Sequence, residues 1–178
     1  MTFEKINRFG IYGRCMRRYL LVGFCLLTSF LLYTSLASAG HPVDFRDATG
    51  RSFSLEQPPS RVVSIVPSVT EILFRIGAGD AVCGVTYHDT WPPEAALKPV
   101  VGGFFTPSLG RIDALNPDVI FLGDLHRSVV GATHGKGHPR LIQLPLSSLA
   151  ELYRSIRLLG RIFARRAAAE ALNEAIQA

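Results

Sequence analysis

Four short runs of β-branched and aliphatic residues constrain this chain most: 61–66, 81–85, 119–122 and 141–144. Each is too short and too apolar for an amphipathic helix, and each is closed by turn residues, so each reads as a buried strand. Helical signals lie between them. Ser68-Val69-Thr70-Glu71 has the form of a capping box, with Ile72, Leu73 and Ile76 on the inner face and Gly77 closing the helix. Thr106-Pro107 starts another helix, with Ile112 and Leu115 as its apolar face, and Asn116-Pro117-Asp118 ends it. Strands alternating with helices predict an α/β lobe of three layers around a mostly parallel sheet, with the first run central. Ahead of it, Val43-Asp44-Phe45 and Arg51-Ser52-Phe53-Ser54-Leu55 alternate around the turn Asp47-Ala48-Thr49-Gly50 and form a hairpin.

A second capping box, Ser148-Leu149-Ala150-Glu151, opens the longest helical pattern. Leu149, Leu152, Ile156, Leu159 and Phe163 recur at three- and four-residue steps, and alanine-rich sequence carries the propensity on to Ile176. The expectation is one continuous helix of about thirty residues, roughly 45 Å long. Its apolar stripe, left bare, is a surface for self-association or for a second lobe.

The N-terminus explains the charge. Five of the nineteen basic residues (Lys5, Arg8, Arg14, Arg17 and Arg18) precede position 40, with one acid, Glu4. The remaining 139 residues hold fourteen basic and thirteen acidic side chains, too balanced for a phosphate-binding stripe, so nucleic acid is not an expected partner. Arg17-Arg18, an apolar run from Leu20 to Leu36 and Ala37-Ser38-Ala39 read as a cleaved secretory signal over 1–39, with Met1 or Met16 as the start. A retained membrane anchor is the rival, since seventeen apolar residues nearly span a bilayer. Cleavage leaves Cys83 as the one thiol, a small core residue by its neighbours.

No nucleophile elbow, phosphate-binding loop or dinucleotide fingerprint occurs, and Asp89, Asp113, Asp118 and Asp124 sit where turns and caps are expected. Ser64 and His88 lack a third group to orient a dyad, so catalysis is not expected. His126, His134 and His138 lie within thirteen residues, and His134 and His138 have ligand-like spacing, but their segment is glycine-rich and carries Lys136. A solvated loop is the stronger reading there, and a His-loop metal site the weaker.

Taken in order, Arg61-Val62-Val63-Ser64-Ile65-Val66-Pro67-Ser68-Val69-Thr70-Glu71-Ile72-Leu73, Gly77-Ala78-Gly79-Asp80, Trp91-Pro92-Pro93-Glu94-Ala95, Val101-Gly102-Gly103-Phe104, Pro107-Ser108-Leu109 and Leu115-Asn116-Pro117-Asp118-Val119-Ile120 resemble the periplasmic ferric-siderophore and cobalamin binding proteins of ABC importers. The resemblance covers about residues 43 to 178. It implies two α/β lobes joined by a long rigid helix, with a small-molecule metal complex or corrinoid held between them as cargo and no resident cofactor. On that reading 40–147 is the N-terminal lobe, 148–178 begins the inter-lobe helix, the second lobe is missing, and the chain is a truncated or split member.

Ligands of parallel-sheet lobes lie beyond the carboxyl ends of the strands. The loops there carry Ser68, Tyr87, His88, Trp91, Phe104 and Phe105, and exposed rings suit broad flat ligands. The resemblance places ligand contact on His88 and Phe104 in particular. Arg127 is a candidate partner for a siderophore's negative charge. Relatives that dock on a permease often carry Glu after the Ser-Leu pair; Gly110 stands there in this chain, which puts docking in doubt. The sequence does not choose among ferric siderophore, haem and cobalamin.

Overall fold

The computed structural model describes residues 42–126 and 139–178. Strands β1 (Val43–Arg46) and β2 (Ser52–Leu55) form the expected antiparallel hairpin, with Val43 opposite Leu55 and Arg46 opposite Ser52. Strands β3 (Val62–Ser64), β4 (Val82–Gly84), β5 (Val119–Leu122) and β6 (Arg140–Gln143) form a second sheet in the order β4-β3-β5-β6, with every neighbour pair parallel. The first run is interior, as expected.

A side-chain period of two on short strands buried on both faces gives two cores. On one face Val119, Phe121, Ile142 and Leu144 meet Val69 and Leu73 of helix α1 (Pro67–Arg75) and Ile156 and Leu159 of α3 (Leu149–Ile162). On the other, Val63, Ile120 and Leu122 meet Ile112 of α2 (Leu109–Ala114), with Cys83 partly buried beside them. The lobe therefore has three layers.

The hairpin is fastened to β6 through its turn. Asp47 is buried: Oδ1 accepts from the amide and hydroxyl of Thr49 (2.9 and 2.6 Å) and from the Arg51 amide (3.1 Å). Its Oδ2 accepts from Arg51 Nη2 at 2.9 Å and from the Gln143 amide at 3.4 Å. The Ala48 amide donates to Gln143 O at 2.9 Å, and Arg51 Nη2 also donates to Leu141 O at 2.8 Å. Burial is the largest single influence on the Asp47 carboxyl and pushes its pKa up; the hydrogen bonds from Thr49 and Arg51 together outweigh it and hold the group below its ordinary value.

Several expectations are corrected. The long C-terminal helix is two helices, α3 and α4 (Arg166–Gln177), separated at Phe163-Ala164-Arg165. Ala164 takes a left-handed φ of 54°; its amide donates to Arg161 O and the Arg165 amide to Gly160 O, a Schellman motif with alanine where glycine is usual. The helices cross closely: a methyl group on Gly160 would collide with Ala169 Cβ. The apolar stripe is therefore not bare, because Ile156, Leu159 and Phe163 are spent on the sheet, while Leu149 remains exposed. The first capping box does not form. Val66 is the N-cap of α1, Pro67 occupies the first turn, and Glu71 pairs with Arg75 at 3.1 Å instead. Helix α2 starts two residues after Pro107, on Ser108. The second box forms with a one-residue shift: Ser148 Oγ accepts from the Glu151 amide, and Glu151 Oε2 accepts from the Ser147 amide. Among the described residues no helix is long and apolar enough to cross a membrane. The expected signal at 1–39, and Arg127, His134 and His138, lie outside the described residues.

Candidate functional site

The four parallel strands end on one side of the sheet, and an open depression of about 700 Å³ lies beyond them. The segment after β3 contributes Val66, Pro67 and Ser68, and the loop after β4 contributes His88. The turn after β5 brings Gly123, Asp124 and Leu125, and the segment after β6 brings Leu146 and Ser147. Phe104 and Phe105 close one wall.

That wall is set by a tight loop. Gly102 has φ 125°, and a Cβ there would lie 2.8 Å from Thr106 O and 2.9 Å from the Ser108 amide, so only glycine fits. The Tyr87 amide donates to Gly102 O at 3.0 Å, and the Gly103 amide donates to Thr106 O at 3.3 Å. Of the two aromatics that follow, Phe104 packs partly against the core and Phe105 points outward, 72% exposed, edge-on to Phe104 at 4.7 Å between ring centroids. His88 is stacked obliquely with Tyr87 at 4.3 Å.

Four of the seven residues expected from the sequence thus line one depression: Ser68, His88, Phe104 and Phe105. Tyr87 stands beside it, exposed, with its ring against His88. Trp91 does not reach it. The indole lines a separate hollow with Phe74, Asp80 and Lys98, under the Arg75 guanidinium at 4.7 Å from the ring centroid. That placement follows from the loop: Asp89 Oδ2 accepts from the amide (2.8 Å) and hydroxyl (2.5 Å) of Thr86, closing a turn that sends Tyr87 and His88 one way and Trp91 the other. Arg127 lies outside the described residues.

His126 overturns the solvated-loop reading at its own position. It is 2% exposed, its Nδ1 accepts from the Gly123 amide at 3.1 Å, and its Nε2 lies 2.7 Å from Phe104 O. Both nitrogens are engaged by main chain, which leaves no lone pair for a metal. Ser64 is likewise committed, fully buried with its hydroxyl donating to Val66 O at 3.2 Å. Leu146 was missed in the sequence, and Leu125 was not singled out although the loop it opens was expected at the cleft. Their signal was present: each is an aliphatic residue within three positions of a strand's carboxyl end.

The lining joins exposed apolar rings to hydroxyl, imidazole and carboxylate groups. The Asp124 carboxylate is already held by Gln143 Nε2 at 2.7 Å and Ser147 Oγ at 3.1 Å. Such a surface can grip a broad apolar face while hydrogen-bonding polar groups at its margin.

Comparison with known proteins gives a consistent set. A family model described as a periplasmic binding protein matches residues 62–178. An uncharacterized ABC transporter substrate-binding lipoprotein of Bacillus subtilis is 31% identical over 126 residues, covering 67% of this chain and 39% of the relative. A cobalamin-binding protein of Halobacterium salinarum is 35% identical over 82 residues, covering 44% of this chain and 22% of the relative. Among solved structures, the siderophore binding protein BauB, bound to a complex of two acinetobactin molecules and ferric iron, superposes with a TM-score of 0.65 at 17% identity. The superposition covers 77% of this chain and 51% of that one, and it shows the shared fold. The chain matches well under two thirds of the length of each of these proteins.

Proposed function

Because the chain belongs to the periplasmic binding protein family, we propose that it supplies one face of a binding site for a metal chelate or corrinoid destined for an ABC importer. Ferric siderophore, haem and cobalamin are the ligand classes. The observation that carries this reading is the depression beyond all four strand ends, with Phe105 presented outward and His88 and Ser68 at its side. Flat ligands with polar edges fit such a mixture, since ring area gives contact at little cost in side-chain entropy. Binding by this surface alone is weak, because a ligand covered on one side keeps much of its area in water.

The relatives' roles suggest where the chain works. Export by cleavage after Ala39 brings it to the periplasm, and the mature N-terminus is then Gly40, which N-terminal sequencing of the exported protein checks. Gly110 lies in the first turn of α2 with open space where a side chain would stand, so this chain offers no carboxylate where the family resemblance leads one to expect a permease-docking glutamate.

Titration calorimetry with cyanocobalamin, haemin and ferrichrome tests the reading. Saturable binding of one class is expected, weakened about tenfold by Phe105→Ala through the loss of one ring contact. Saturable binding that Phe105→Ala leaves unchanged, or no binding of any of the three, counts against it.

A further inference from the structure

We propose that His126 is the positioning residue of this surface, a neutral imidazole in the Nε2–H form that holds the Phe104-Phe105 wall in its presenting conformation. The proposal rests on the function given above for what the wall is for, but its geometry stands independently. The Gly123 amide can only donate, so Nδ1, 3.1 Å away, must be bare. The Phe104 carbonyl can only accept, so Nε2, 2.7 Å away, must carry the proton. Gly123 O also lies 3.3 Å from Nδ1, but in a neutral ring a proton there would strip Nε2 of its own and forfeit both shorter bonds. A single tautomer satisfies the whole arrangement.

The imidazole also packs edge-on to the Phe104 ring at 4.6 Å between centroids. It therefore grips Phe104 twice, by main-chain oxygen and by ring, across 22 residues of sequence. Phe105 depends on that grip, because its ring is 72% exposed and rests edge-on against Phe104. An exposed loop aromatic left free loses rotamer and loop entropy when it binds; one already fixed does not. His126 touches the depression through its neighbour, so it acts on affinity by organisation and not by ligand contact.

Two measurements on the full chain test this. At about pH 8, long-range proton–nitrogen NMR of the imidazoles is expected to show His126 with Nδ1 unprotonated and Nε2 protonated. A protonated Nδ1, or a rapidly averaged pair of tautomers, overturns the assignment. The second compares His126→Gln, whose amide nitrogen reaches the Nε2 position, with His126→Asn, whose oxygen reaches only the Nδ1 position. His126→Gln is expected to keep the Phe104 and Phe105 ring resonances near those of the parent. It should also bind whichever of cyanocobalamin, haemin or ferrichrome the parent binds within about twofold of the parent affinity. His126→Asn is expected to shift both rings and weaken that binding about tenfold, as the loss of one oriented hydrogen bond. Equal behaviour of the two variants refutes the positioning role. If the parent binds none of the three, the proposed function fails, while the tautomer and the ring resonances still decide the role of His126.

Discussion

Replacing Asp47 by Asn tests the fastening of the hairpin to the sheet, and its size follows from the contacts. The amide oxygen can take the place of Oδ1 and keep the bonds from Thr49 and from the Arg51 amide. The amide nitrogen then replaces Oδ2 and turns a donor toward the Gln143 amide and the Arg51 guanidinium. Arg51 is 42% exposed, so losing its ion pair costs only about 0.5–1 kcal/mol. The half-buried Gln143 amide left facing a donor costs about 1–2 kcal/mol more. The sum, about 1.5–3 kcal/mol at neutral pH, is roughly 5–12 °C in melting temperature for a lobe of this size. The pH dependence has a definite sign. The Asp47 pKa is depressed on folding, so its stabilisation is complete above the unfolded-state value and vanishes as pH falls through the lower folded-state value. Asp118, also held low because the Ser60 and Arg61 hydrogen bonds outweigh its burial, titrates in both proteins and cancels in the difference. Urea unfolding followed by far-ultraviolet circular dichroism, from pH 7 downward, should show a gap between parent and variant that closes in acid. A variant as stable as its parent at pH 7, or a gap that stays constant into acid, refutes the account.

Three further outcomes are expected. Gly102→Ala lowers stability by about 1–3 kcal/mol through backbone strain and contact with Thr106 O, and it shifts the Phe105 ring resonances; an unchanged melting temperature would contradict this. Ala164→Gly raises stability by roughly 0.5–1 kcal/mol in chemical denaturation, because the left-handed conformation penalises a Cβ. Burial pushes the Cys83 thiol pKa up, so iodoacetamide should label it much more slowly in native protein than in urea at about pH 8, as read by peptide mapping.

The strands were legible because short β-branched runs bounded by turns have few alternative uses. The run at 119–122 coincides with β5, and burial on both faces follows from Val119-Ile120-Phe121-Leu122 being apolar throughout. Helix ends were legible where the residue advertised its conformation. Gly77 (φ 76°) and Asn116 (φ 45°) both follow helices at the positions where the sequence ends them. Ala164 adopts the same backbone without any such mark, so the break between α3 and α4 was hidden. Its indirect trace was Gly160 with 167–169, small residues spaced for a close helix crossing. The site was half legible for a related reason. Strand ends told which loops converge, but not that the Thr86–Asp89 turn parts His88 from Trp91, nor that a histidine after β5 folds inward. Both depend on hydrogen bonds between side chain and main chain, which spacing does not display.

The turn of the hairpin has one more consequence. Leu141 and Gln143 carry the outward-facing peptide groups of the outermost strand, and Asp47, Ala48 and Arg51 consume them. At the opposite margin, β4 is continued by a bridge between Val85 and Val100. A sheet flanked in this way offers a neighbouring chain little template for strand addition. Loosening the turn at Asp47 should therefore do more than lower a melting point: it would uncover a row of peptide groups with which the strand of another chain can pair.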